Sequence, residues 1–331
     1  MKVLVTGASG MLGTAVARAL AARGDEVTLM QRRSSGLGMR EVLGDVADPG
    51  AVREAVAGQD GVVHLAAKVD ITGPEADYVR ANVVGTRNVL AACTAIGVER
   101  LVQVSSPSVS HTGASLVGAP AGPADPEHAR GPYARTKARS ELEALAADQT
   151  GAVPLNVVTV RPHIVWGPGD TQLVERIVER GRAGRLPLLG TGAGLIDTTY
   201  VDNAADALVA ALDRAPEAHG EAFVVSNGEP RPVGEIFGDF CAAAGVPRPT
   251  RHVPARLAVT AGGVVERLWS LRHPDGKAQP PMTRFLAEQL STAHWFDQRR
   301  TREALAWTPA VSIAEGLDRL TAHYRGSSAR D

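Results

Sequence analysis

The sequence predicts an α/β chain whose parallel sheet carries helices on both faces. Three observations point there. Short runs rich in Val and Leu alternate with helical patterns through the first half of the chain. The first run opens into a glycine-rich turn and then a helical stretch. Beyond Arg161 the alternation gives way to Gly- and Pro-punctuated, mostly helical sequence, which reads as a smaller second lobe.

Strands are expected at 2–6, 26–30, 39–43, 61–65, 100–104 and 155–160, with helices at 11–22, 77–96 and 133–147. Two more strands are expected near 197–200 and 222–225. The 21 residues from Ser110 to Arg130 are rich in Gly, Pro and Ala. A loop that long is usually functional or mobile, and this one leads straight into Tyr133. The division expected is a dinucleotide-binding domain at 1–165, with 196–225 returning to it, and a substrate lobe drawn mainly from 166–330.

With 331 residues the chain has ample length for such a core. Its 35 basic and 36 acidic residues leave a net charge of −1, which gives no reason to expect nucleic acid or an anionic membrane as partner. Cys93 and Cys241 lie far apart with no metal-like spacing, so no metal is expected and a reducing cytoplasm fits. The chain opens directly on a strand with no signal-peptide pattern. No run of 18 apolar residues occurs, so no membrane span is expected. Residues 255–271 are apolar but interrupted by Arg256, Glu266 and Arg267. They suit a buried helix, or an amphipathic wall for a greasy substrate or membrane edge.

Tyr133 and Lys137 carry the chemistry. Four residues apart on a helix they share a face. A fixed cation beside a phenol favours the phenolate and should lower its pKa. The chain has only four Tyr and four Lys (Lys2, Lys68, Lys137 and Lys277), which makes the coincidence informative. A half-buried Tyr beside a solvated Lys is the bland alternative.

Thr6 through Gly13 read TGASGMLG, between the first strand and the first helix. Gly7, Gly10 and Gly13 suit a tight turn whose backbone N–H groups approach a pyrophosphate at the positive helix end. The residue ending the second strand decides which dinucleotide binds. An acid there would take the ribose 2′-hydroxyl of NAD. Here it is neutral Gln31, followed by Arg32 and Arg33. Guanidiniums fork onto phosphate, so NADP(H) is favoured over NAD(H). Asp45, ending the third strand, suits either the adenine amino group or a surface cap. His64 reads as a packed histidine rather than a catalyst.

At this point the chain resembles the extended short-chain dehydrogenase/reductase superfamily, with its Rossmann-type fold. The resemblance rests on TGASGMLG, Gly44-Asp45-Val46, His64-Leu65-Ala66-Ala67, Asn82 to Thr86, Val104 to Val109, Tyr133-x-x-x-Lys137 and Arg161-Pro162. It implies Ser106 as catalytic hydroxyl, with Ser105 its competitor, Tyr133 as acid/base, and Lys137 as ribose ligand and tuner. Cofactor contacts are implied at Gly7, Ser9, Gly10, Met11, Leu12, Gly13, Gln31, Arg32, Arg33, Asp45 and Val46. They continue at Ala66, Ala67, Lys68, Asn82, Tyr133, Lys137, Pro162, His163 and Val165. Asn82 is expected to tie the fourth and fifth strand regions together.

The C-terminal half is similar to the 3β-hydroxysteroid dehydrogenase-like branch, on Trp166 to Asp170, Ile196 to Asn203, 281–285, Phe296-Asp297 and Trp307 to Gly316. Within that branch it is similar to bacterial reductases of 2-alkyl-3-oxoalkanoic acids in long-chain olefin biosynthesis. A lipid-like substrate is implied, with His163, Trp166, Tyr200 and 255–271 as wall or core, and Arg161, Arg176 or Arg284 facing its carboxylate. A homodimer through helices 77–96 and 133–147 is implied, and a complex with neighbouring pathway enzymes is compatible. A steroid dehydrogenase is the nearest alternative. An epimerase fits less well, and a dehydratase would want acidic residues where Pro107 and Ser108 stand. A non-catalytic redox sensor would generally lack the Tyr/Lys pair.

Overall fold

The computed structural model describes residues 1–70, 73–111, 113–272 and 284–328. The amino-terminal part runs β1 (Lys2–Thr6), α1 (Met11–Ala22), β2 (Glu26–Gln31), β3 (Arg40–Leu43), α2 (Pro49–Val56), β4 (Gly61–His64) and α3 (Glu75–Tyr78). A widened π-type turn (Val79–Val84) leads into α4 (Gly85–Ile96), followed by β5 (Arg100–Val104), a 3₁₀ turn (Pro107–Ser110) and β6 (Leu116–Ala119). Then come α5 (Gly131–Ala146), β7 (Asn156–Pro162), β8 (Val165–Trp166), α6 (Val174–Arg182), β9 (Leu188–Leu189), β10 (Leu195–Ile196) and β11 (Thr199–Tyr200). The remainder comprises α7 (Val201–Asp213), α8 (Ala215–Ala218), β12 (Ala222–Val225), β13 (Arg231–Pro232), α9 (Val233–Ala243) and β14 (His252–Val253). It closes with α10 (Ala255–Arg272), α11 (Arg284–Ser291), β15 (His294–Phe296), α12 (Arg299–Leu305) and α13 (Ile313–Ser328).

Seven parallel strands form the main sheet in the order β12-β7-β5-β4-β1-β2-β3. The order reverses between β1 and β4, and ligands bind beyond the carboxyl ends of strands at such a switch point. Period-two alternation explains the two cores. Val3 and Val5 pack with Val16 and Leu20 of α1 and Leu208 and Leu212 of α7. Leu4, between them, faces Val52 and Val56 of α2 and Val89 and Cys93 of α4. A third core of Trp166, Tyr200, Ile236, Phe240 and Ile313 holds the carboxy-terminal part.

The stretch 110–130 is not wholly a loop. It contains β6, which pairs with β15 from near the end of the chain. The expected helix at 77–96 begins at Glu75 and carries the π-type turn. The later part of the chain also contains short strand pairs, β10 with β13 and β15, β8 with β11, and β9 with β14. Strands of two or three residues have too few positions to show a period, so their partners, distant in sequence, decide them.

Candidate functional site

The turn after β1 is built so that backbone can come close. Gly7 has φ +75°, and a Cβ there would lie 2.8 Å from the Ala66 backbone nitrogen. A Cβ on Gly13 would lie 2.3 Å from the Gly7 carbonyl oxygen. Gly10 precedes α1 without a side-chain cap, and no acid stands in the helix's first turn. The first-turn N–H groups of α1 are left for a ligand, and the helix dipole favours an anion there. The residues present therefore fit a dinucleotide pyrophosphate. Ser9 and Gly10 are exposed at the turn, while Met11 and Leu12 pack inward against the third core.

Ser106 follows the carboxyl end of β5, and Tyr133 and Lys137 lie on the first turns of α5. The structure brings all three together. Ser106 lies close enough to the Tyr133 phenol to oppose the rise that burial gives its pKa. Ser106 Oγ also lies 2.9 Å from Ser108 Oγ and accepts from the Ser108 N–H at 3.3 Å. Ser105 Oγ, the competing hydroxyl, is buried without a hydrogen-bond partner among the described residues. Lys137 is 4 % exposed and donates to the Val104 carbonyl at 2.5 Å. Burial pushes its ammonium down to about 8, against the opposing pull of Glu141 one turn on.

One expectation is corrected here. Lys137 does not hold the phenol below its ordinary range. Burial raises the Tyr133 pKa, opposed only by Ser106. At rest the ammonium donates to a carbonyl at the end of β5, and desolvation is the larger influence on the neutral phenol.

Asn82 sits in the π-type turn, a feature frequent at functional sites. Its Oδ1 accepts from Lys68 N at 2.7 Å, and its Nδ2 donates to Lys68 O at 3.1 Å and to Thr136 Oγ1 at 3.0 Å. It thus ties the segment after β4 to α5, not to β5 as expected. Ala66, Ala67 and Lys68 are half-buried along that segment. His64 is packed, as read from the sequence: Nδ1 bonds Thr6 Oγ1 at 2.7 Å and Nε2 bonds Thr86 Oγ1 at 3.2 Å. Burial, then Lys137, pushes its pKa down to about 3.

A family model described as the NAD dependent epimerase/dehydratase family matches residues 3–226. The chain belongs to that family. It is 46% identical to the 2-alkyl-3-oxoalkanoate reductase of Stenotrophomonas maltophilia, over 97% of this chain and 99% of that protein. It is 32% identical to 3beta-hydroxysteroid-dehydrogenase/decarboxylase isoform 2 of Arabidopsis thaliana, over 84% of this chain and 50% of that one. The solved structure of MoeE5 in complex with UDP-glucose and NAD superposes with a TM-score of 0.74 at 25% identity, covering 99% of this chain and 100% of that one. This family member is an extended short-chain dehydrogenase/reductase, related to 3β-hydroxysteroid dehydrogenase-like proteins, and an NAD(P)-dependent oxidoreductase.

At the end of β2, Gln31 is buried and donates from Nε2 to Glu41 Oε1 at 2.9 Å. Glu41 also accepts from the N–H and hydroxyl of Ser35. Sequence reasoning missed this carboxylate because it looked only at the end of β2. Arg32 and Arg33 are exposed, with no ion-pair partner among the described residues. Asp45 accepts from Ala47 N at 2.9 Å and pairs with Arg80 at 3.0 Å, while the cap of α2 is Asp48. Val46 is buried and closely faces Gly85 of α4.

On the substrate side one expectation is corrected, that for Arg161, while Trp166 and Tyr200 take the core place that the sequence also allowed. Arg161 is 1 % exposed and committed to Glu141 and the Gly122 carbonyl, so it cannot face a substrate carboxylate. Trp166 and Tyr200 are core: their rings meet at 5.4 Å, and Trp166 also packs on Phe240 at 5.0 Å. Pro162, ending β7, and Val165, opening β8, are half-buried, but the His163 side chain is tied down within the protein. Arg176 is half-buried on α6. The side chain of Arg284 and residues 281–283 lie outside the described residues, as do several side chains of 255–271. Within α10, Ala258 is buried against Leu189 and Ala287, whereas Leu257 and Val264 point outward. No described helix is long and apolar enough to cross a membrane.

Proposed function

We propose that this protein reduces the 3-keto group of a long-chain 2-alkyl-3-oxoalkanoic acid to the 3-hydroxy acid with NADPH, as a step of long-chain olefin biosynthesis. The observation that carries the reading is Ser106 beside the Tyr133 phenol, with buried Lys137 one turn along the same helix, in a chain so similar to a 2-alkyl-3-oxoalkanoate reductase. The glycine turn would hold the dinucleotide, which when bound would supply the hydride for the keto carbon. Ser106 hydrogen-bonds the keto oxygen. Tyr133 donates a second bond and delivers its proton to that oxygen as negative charge develops. The raised phenol pKa keeps Tyr133 protonated at rest, the form a reductase needs. The Lys137 charge then stabilises the phenolate left behind.

Exposed Arg32 and Arg33 support NADP(H) over NAD(H). We further propose that 1–165, with 196–225, binds the dinucleotide, that 166–330 mainly shapes the substrate site, and that α4 and α5 pair two copies as a homodimer in the cytoplasm.

The test is oxidation of NADPH and NADH with a 2-alkyl-3-oxo fatty acid, or the reverse reaction with the 3-hydroxy acid. Tyr133→Phe is expected to lose about 10²–10⁴-fold in kcat. The double variant Arg32→Glu, Arg33→Glu is expected to shift preference toward NADH. A sterol dehydrogenase is the second reading, favoured by the plant relative. Turnover of a 3β-hydroxysteroid with NAD⁺, and none of the alkyl acid, would establish it instead.

A further inference from the structure

The strongest polar cluster outside the catalytic trio lies where β7 ends. His163 is 6 % exposed, Asp197 0 % and His294 3 %. His163 Nδ1 lies 2.5 Å from Asp197 Oδ1, and His163 Nε2 lies 3.2 Å from His294 Nδ1. The other Asp197 oxygen accepts from Ser226 Oγ at 2.7 Å and Phe296 N at 3.1 Å. The His163 ring also packs edge-on against Phe296 at 5.1 Å. Both ring nitrogens of His163 are thus engaged, Nδ1 by the carboxylate and Nε2 by the His294 ring.

The backbone at this point is strained and held. Ile164 has φ +45°, a left-handed conformation that is an outlier for a β-branched residue. Such strain persists only where surroundings over-determine it. Here His163 N donates to Val225 O at 2.9 Å, Thr199 Oγ1 donates to His163 O at 2.7 Å, and Thr199 N donates to Ile164 O at 3.1 Å. Pro162, His163 and Val165 are the positions assigned to the cofactor from the resemblance. His294, in turn, meets the His111 ring at 6.1 Å, and His111 follows the 3₁₀ turn that Ser106 precedes and caps.

We propose that His163 is a positioning residue. Its ring, clamped between Asp197 and His294, locks the strained 163–164 turn of the cofactor site to the segment that carries Ser106. Reacting groups on the two sides are thereby held in register. The proposal rests on the reading of Ser106 and Tyr133 as the catalytic pair.

The test compares His163→Leu, which removes both ring bonds, with His163→Asn, which keeps a donor where Nδ1 stands. His294→Phe is the second variant, needed if His163→Leu does not fold. Thermal melting establishes folding. Emission from bound NADPH reports nicotinamide immobilisation and needs no substrate. It therefore decides the proposal even if the wild-type protein fails on the alkyl acid, which would sink the substrate reading separately. The expected result is a folded His163→Leu with altered bound-NADPH emission. Its kcat should fall about tenfold to a hundredfold with KM within about threefold, and His163→Asn should recover most of the loss. His294→Phe should shift in the same direction. Wild-type emission and kcat in folded His163→Leu or His294→Phe would overturn the proposal, as would activity that falls only in proportion to the folded fraction.

Discussion

At the residue scale, burial rather than charge sets the protonation of the groups around the site. His64 shows this most clearly. Its folded pKa of about 3 lies below the ordinary 6.5. Between those values the unfolded chain binds a proton that the folded one excludes, so stability rises with pH. The contribution is complete above 6.5 and is lost as pH falls through the window toward 3. Between neutral pH and about pH 5 the loss should amount to about 2 kcal/mol. His64→Gln should be less stable at neutral pH but should lack this part of the acid slope. Urea denaturation at a series of pH values checks it, and an unchanged slope in the variant would remove His64 as the cause.

At the element scale, the turn between β1 and α1 shows why small residues recur where they do. A Cβ on Gly13 would lie 2.3 Å from the Gly7 oxygen and 2.8 Å from Ala8 Cα, both backbone atoms that cannot swing away. At Gly10 the nearest atom would be the Gly7 oxygen at 3.6 Å, an ordinary contact. Gly13→Ala should therefore cost about 1–3 kcal/mol, as overpacking does, and weaken dinucleotide binding. Gly10→Ala should melt near the wild-type temperature. Calorimetric melting and titration with NADPH separate the two, and equal melting temperatures would show that the close approach of helix and turn matters little. The spacing of these glycines was legible in the sequence. The contact of Gly7 with Ala66 was not, because β1 and β4 become neighbours only in the sheet.

At the scale of the whole molecule, a buried ion pair sets the helix that carries the chemistry. Arg161 on β7 bonds Glu141 on α5, and both side chains are 1 % exposed. Glu141 stands one turn beyond Lys137 and two beyond Tyr133, so the pair fixes how α5 lies on the sheet. Arg161→Leu leaves a carboxylate buried alone and should cost about 3–5 kcal/mol. The double variant Arg161→Leu, Glu141→Leu should recover most of that loss, measured by urea denaturation. A single variant as stable as the double would show that the pair contributes nothing to holding α5.

The sequence by itself determined the parallel α/β class, the glycine turn and the Tyr133/Lys137 face. These depend on local periods and on steric needs of single residues, which survive in one dimension. Gln31 and its two arginines were likewise readable, because their place at the end of β2 follows from the strand alone. Only the tertiary structure decided that Arg161, Trp166 and Tyr200 are interior, that Glu41 stands beside Gln31, and that Lys137 reaches the Val104 carbonyl. It alone joined Asp197, His163 and His294, which lie 34 and 131 residues apart from the shared histidine. Burial and hydrogen-bond partners belong to pairs of distant segments. No period along the chain encodes them, and they set both the pKa of Tyr133 and the fate of each buried charge.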